Sequence, residues 1–194
     1  MDIFLQLWGG CFYLANKMFF SLSETKIGEK KNQFKRLAWS AYLIGVPAWI
    51  VLLIEKNNWI AASIEAGGIP AMLLGLYKTF HKTQASPFIE SSVKYITYFA
   101  ITFGVFISVQ HHGGITSVSQ LLEIGVTLGF LMGSYLMTQH NSTGYLFFML
   151  MNLSMATLMF LQDKDILMVQ QLLSLSFVIY GYLQSIKIQN NVAN

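Results

Sequence analysis

Charge is what this sequence most lacks. Asp, Glu, Lys and Arg make up 11% of it, against roughly 25% in an ordinary soluble domain. That scarcity excludes a soluble fold as the expectation, because a 194-residue chain that is 54% hydrophobic has too little polar side chain to cover its surface. Cysteine is reduced to Cys11, so no intrachain disulfide can form. No basic stretch precedes the first apolar segment, and Met1-Asp2-Ile3 does not resemble the start of a signal peptide. That segment is therefore expected to remain as a helix. Phosphate-binding glycine loops, zinc motifs and nucleophile elbows are missing. His111 and His112 are adjacent but have no third ligand spaced beside them. Neither a metal nor a cofactor is expected, nor an enzyme. The net charge of +3 is modest and its positives are clustered, which points away from nucleic acid.

Apolar length is what the sequence has instead. A spanning helix needs about 20 mostly apolar residues. Seven segments qualify: residues 3–22, 37–54, 59–77, 93–110, 118–138, 144–161 and 166–186. The fold class expected is an all-α integral membrane protein with seven transmembrane helices. Most breaks are short and polar. The two longer ones, 23–36 and 78–92, leave no room for a soluble domain.

Lys and Arg set the expected orientation. Lys26, Lys30, Lys31, Lys35, Arg36, Lys78, Lys82, Lys94 and Lys187 fall on one side of the seven spans. Lys56 and Lys164 fall on the other. The expectation is a multi-pass protein of a bacterial inner membrane, N-terminus outside and C-terminus cytoplasmic. Lys17 sits near the inner end of the first span, where its stem could snorkel to the interface.

An internal repeat organises the spans. A shift of 106 residues lays the second and third spans on the sixth and seventh without a gap. Trp39 falls on Tyr145, Ala48 on Ser154, Glu65 on Gln171 and Gly75 on Gly181. The expected organisation is a three-helix repeat over 1–80, a linker with the fourth helix over 81–115, a second repeat over 116–187 and a tail over 188–194. An odd linker gives both triplets the same orientation, a 3+1+3 arrangement of parallel repeats.

The segment 144–185 reads GYLFFMLMNLSMATLMFLQDKDILMVQQLLSLSFVIYGYLQS. Its Asn152, Gln171 and Gly181 resemble the pattern of the PnuC family of vitamin transporters. Glu65 and Gly75 fit the same pattern in the first half, where Val46 replaces the Asn. The family's tryptophan-rich segment is not evident in either half. The fragment QFKRLAWSAYLIGVPAW is similar to small YgjV-type inner-membrane proteins. The PnuC resemblance implies a SWEET-like seven-helix architecture and facilitated diffusion of a nucleoside-like vitamin, such as nicotinamide riboside or thiamine. It also implies a functional link to a cytoplasmic kinase that traps the substrate.

Polar groups inside the spans are the candidate site, because such residues in hydrocarbon are costly and face the bundle interior. Glu65 and Glu123 each lie two turns, or about 10 Å, into a span. Gln171 matches Glu65 in depth. A central solute site of Glu65, Asn152, Gln171 and Glu123 is expected, with Tyr42 and Trp49 able to stack on a ring. Interhelical hydrogen bonding and core packing are the alternative for each. Gln170 points away and is expected to pack. Gly45-Val46-Pro47 and Gly67-Gly68-Ile69-Pro70 suggest either hinges or close packing. Gly125, Gly129 and Gly133 suggest a close helix seam, within the chain or, as the alternative, in a homo-oligomer, which is a further partner to be considered. Trp8, Trp59 and Trp39 are expected at membrane interfaces. The partners expected are a small-molecule substrate and the lipid bilayer. The alternative function is a structural or partner-binding membrane module without transport.

Overall fold

The computed structural model describes residues 2–55, 59–112, 114, 117–163 and 165–193. Among these residues the chain is wholly helical, with seven helices and no strand. They are α1 (Asp2–Ser23), α2 (Gly28–Glu55), α3 (Trp59–His81), α4 (Pro87–His112), α5 (Val118–Thr138), α6 (Thr143–Leu161) and α7 (Asp165–Ala193). Each contains one of the seven apolar segments. By length and composition, α5 and α6 are apolar enough to cross a membrane.

The two long breaks expected from the sequence prove mostly helical. Helix α2 starts at Gly28, nine residues before its apolar segment, and α4 starts at Pro87. Charge pairing explains the first extension. Glu29 pairs with Arg36 within α2 and with Lys82 beyond α3 at 2.6 Å, while Lys31 reaches Glu24 at 2.6 Å. Capping explains the second: Ser86 accepts from the Ile89 amide at 3.4 Å, and Pro87 occupies the first helical position, where no amide hydrogen is needed.

Helix neighbours follow one circuit. Helix α1 packs on α2, α2 on α3, α3 on α5, α5 on α6, α6 on α7, and α7 returns to α1. Helix α4 stands outside, against α3 and α5. Replacing α1, α2 and α3 by α5, α6 and α7 leaves the circuit unchanged. One contact is repeated at residue level. The Trp39 ring lies against Gly75 so closely that no side chain fits at 75, and a Cβ on Gly181 would stand 2.9 Å from Tyr145 Cε1. These two pairs are the ones the 106-residue shift superimposes.

Large apolar side chains lie on the outside as well as in the core, and several polar ones are buried. Phe4, Leu73, Phe99, Phe106, Leu153 and Leu183 are among many large apolar residues on the outside. Asn16, Lys17, Thr127, Asn152, Gln171 and Ser174 are buried. Trp39 is 2% exposed, packed edge-on against Phe20 at 4.7 Å, and so belongs to the core rather than to an interfacial belt. Trp8 remains at the surface, its indole donating to the Ile44 carbonyl at 3.0 Å. The Trp59 side chain lies outside the described residues, as do those of His111 and His112.

Small residues serve packing in this structure. Gly129 and Gly133 of α5 abut Met151 and Phe148 of α6, so the α5 glycine row forms a seam within the chain. Helices α2 and α3 run unbroken through Pro47 and Pro70.

Candidate functional site

The centre of the circuit is built around Lys17. Tyr13, Lys17 and Ser21 recur every fourth residue of α1 and so share a face. That face turns inward and carries the lysine with it. Lys17 is 1% exposed, and its ammonium has no hydrogen-bond partner. Three rings surround it: Phe148 at 3.2 Å from Nζ to centroid, Tyr13 at 5.1 Å and Tyr42 at 5.7 Å. Aromatic faces attract cations through their quadrupoles, most strongly where water is excluded. Lys17 therefore does not snorkel outward as its position near a helix end suggests. Tyr42 and Phe148 are matching positions of the two triplets, so the ammonium lies between the halves.

Glu65 of α3 supplies the opposite charge. It is half-buried, with Oε2 enclosed and without a hydrogen-bond partner. It lies within electrostatic reach of Lys17, and the Tyr42 hydroxyl faces it without completing a hydrogen bond. Lys17 and Glu65 do not come within 4 Å of one another as a direct ion pair. Removing two charges from water costs several kcal/mol per ion unless close contacts compensate. This pair is left open, with room in its chemistry for a further donor and acceptor.

The surrounding rings fix these groups. Tyr42 stacks on Phe130 of α5 with centroids 5.7 Å apart and planes at 26°. Tyr13 lies 5.8 Å from Tyr42 and donates its hydroxyl hydrogen to Met151 Sδ at 3.2 Å, joining α1 to α6. Gly68, one turn along from Glu65, abuts Phe130.

The expected site residues divide into three groups. Tyr42 and Glu65 come together as described. Asn152 and Gln171 are buried, at 0% and 4% exposure, each with its side-chain oxygen unpaired. Asn152 donates to the Phe148 carbonyl at 2.7 Å, which puts it one turn from the Lys17 cage. Gln171 shares the inner face of α7 with Ser174, whose hydroxyl is also unpaired. Trp49 sits instead at the α1–α2 contact, against Gly9. Glu123 is exposed on α5 and does not join the cluster. Helical spacing puts Glu123 in line with the buried Gln120, Thr127 and Phe130, and nothing in the structure accounts for its exposure. Gln170 has a packing role: its amide donates to the Gly10 carbonyl at 3.0 Å and ties α7 to α1.

Sequence reading passed over Lys17, Tyr13, Phe130 and Phe148. The available signal was a lysine six residues inside its helix end, with an aromatic four residues before it. Compared with family models, with curated proteins and with solved structures, the chain matches none.

Proposed function

We propose that the chain is a seven-span membrane transporter of a small polar organic solute, bound between two parallel three-helix bundles. The outward-facing apolar residues support seven spans: they occur on every side of the bundle, which water would penalise and lipid would not. The symmetric helix circuit and the Trp39–Gly75 and Tyr145–Gly181 contacts support a 3+1+3 parallel repeat with α4 as linker. The excess of Lys and Arg at one end supports a cytoplasmic C-terminus.

One observation carries the transport reading: the unpaired charges Lys17 and Glu65 at the meeting point of the halves. A solute with hydroxyls would accept a hydrogen bond from the ammonium and donate one to the carboxylate. Tyr42 and Phe148 offer faces for a flat ring. Those features suit a nucleoside-like vitamin, the class that the family resemblance implies.

The competing reading, a structural membrane module, draws on the same cage, because Lys17 fills it with its own ammonium. Uptake into proteoliposomes separates the two. A transporter moves labelled nucleosides or B vitamins, and Glu65→Gln lowers the rate while the fold persists. If no solute in that panel is moved or raises the melting temperature, the transport reading fails.

A further inference from the structure

A second polar centre lies away from the Lys17 cage, where α2 begins, α5 passes into α6 and α7 draws near. It is a pocket of about 320 Å³, and its wall includes Lys31, Lys35, His140, Asn32, Ser142 and Glu24. Lys31 and Lys35 are one helical turn apart and share a face of α2. Glu24 neutralises Lys31 at 2.6 Å and is itself 3.3 Å from the Tyr145 hydroxyl. Lys35 is different. It is 8% exposed and has no carboxylate within 4 Å among the described residues. The contact described for its ammonium is His140 Nδ1, at 3.3 Å. An ammonium can only donate, so Nδ1 accepts and the ring hydrogen resides on Nε2.

The pocket therefore collects donors and a surplus of one positive charge. It also meets the start of α6, the positive end of that helix dipole. The first amides of α6 are already satisfied: Thr143 by Asn141 Oδ1 at 2.9 Å, Gly144 by the Asn141 carbonyl at 3.0 Å and Tyr145 by the Ser142 carbonyl at 3.0 Å. Recognition falls to side chains. A buried ammonium whose partner is a neutral imidazole is a charge awaiting an anion.

We propose that this pocket binds a phosphate group, with Lys35 as the anchoring cation, Lys31 as a second donor and His140 as a neutral donor through Nε2. Tetrahedral phosphate accepts from several donors that need not share a plane, which suits two lysines and an imidazole from different segments. The group can come from a soluble phosphate or from the headgroup of an anionic phospholipid, since basic pockets at the cytoplasmic ends of helices bind such headgroups.

The test uses the purified full chain and its melting midpoint, followed by tryptophan fluorescence. Sodium phosphate is compared with sodium chloride at equal ionic strength in a neutral detergent. Phosphatidylglycerol nanodiscs are compared with phosphatidylcholine nanodiscs. A rise in midpoint with phosphate beyond that with chloride is expected if the source is soluble. A rise confined to phosphatidylglycerol assigns a lipid headgroup. Either rise should vanish in Lys35→Gln, persist in Lys35→Arg and be unaffected in Lys82→Gln, whose side chain is 59% exposed. If Lys35→Gln does not fold, Lys31→Gln carries the test and should weaken the same rise. No rise under any condition, or an undiminished rise in the glutamine variants, overturns the proposal.

Discussion

The Trp39 ring lies against Gly75 so closely that a methyl group there cannot be accommodated without moving a side chain that is 2% exposed. Gly75→Ala should therefore destabilise the fold by about 2 kcal/mol, the usual range for overpacking a closed core. Gly181→Ala meets Tyr145 Cε1 at 2.9 Å and the Ser21 backbone at 3.1 Å, and should also destabilise. Thermal unfolding of the purified variants measures both. Trp39→Phe should relieve part of the Gly75→Ala loss, and equal losses with and without it would argue against the contact.

Lys17 and Glu65 should behave as a coupled pair. Lys17→Met leaves the carboxylate without its compensating charge, and Glu65→Gln leaves the ammonium likewise. Each single change should cost more stability than half the double change, with a coupling of about 0.5–3 kcal/mol. A double-mutant cycle on melting midpoints measures the coupling, and strict additivity would show the two charges to be independent.

Acid should weaken the end of the bundle at His140. Burial first, then the charges of Lys35, Lys78 and Lys31, hold its imidazole down to about 4 from an ordinary 6.5. Between those values the unfolded chain binds the proton and the folded chain does not, so stability falls as pH drops. The contribution is fully present above pH 6.5 and levels off below about 4. His140→Asn should flatten this part of the profile in a pH series of unfolding curves.

Orientation has its own test. With Cys11→Ser as background, a cysteine replacing Lys82 should react with an impermeant maleimide from the cytoplasmic side alone. Labelling of right-side-out vesicles would reverse the proposed topology.

Helix number and the apolar interior of each helix were legible because hydrophobic length is a local property. Helix ends were less so. The extensions at Gly28 and Pro87 depend on ion pairs such as Glu29–Lys82, whose partners lie 53 residues apart, and no local pattern announces them. The candidate site was half legible. Glu65 and Tyr42 could be picked as polar or amphipathic groups within a span. Lys17 was set aside because a lysine near a helix end ordinarily reaches outward, and only the converging rings of α2 and α6 reveal that it does not. Glu123 misled although its depth and its helical spacing both matched buried neighbours: it is in line with Gln120 and Thr127, yet its side chain is exposed.

Helix α4 covers one of the two boundaries between the triplets and has no counterpart at the other. The α3–α5 boundary is thereby braced from outside. The α7–α1 boundary relies on close packing and the Gln170–Gly10 bond. The two boundaries are thus held differently, one by an added helix laid across it and the other by direct contact of α1 with α7.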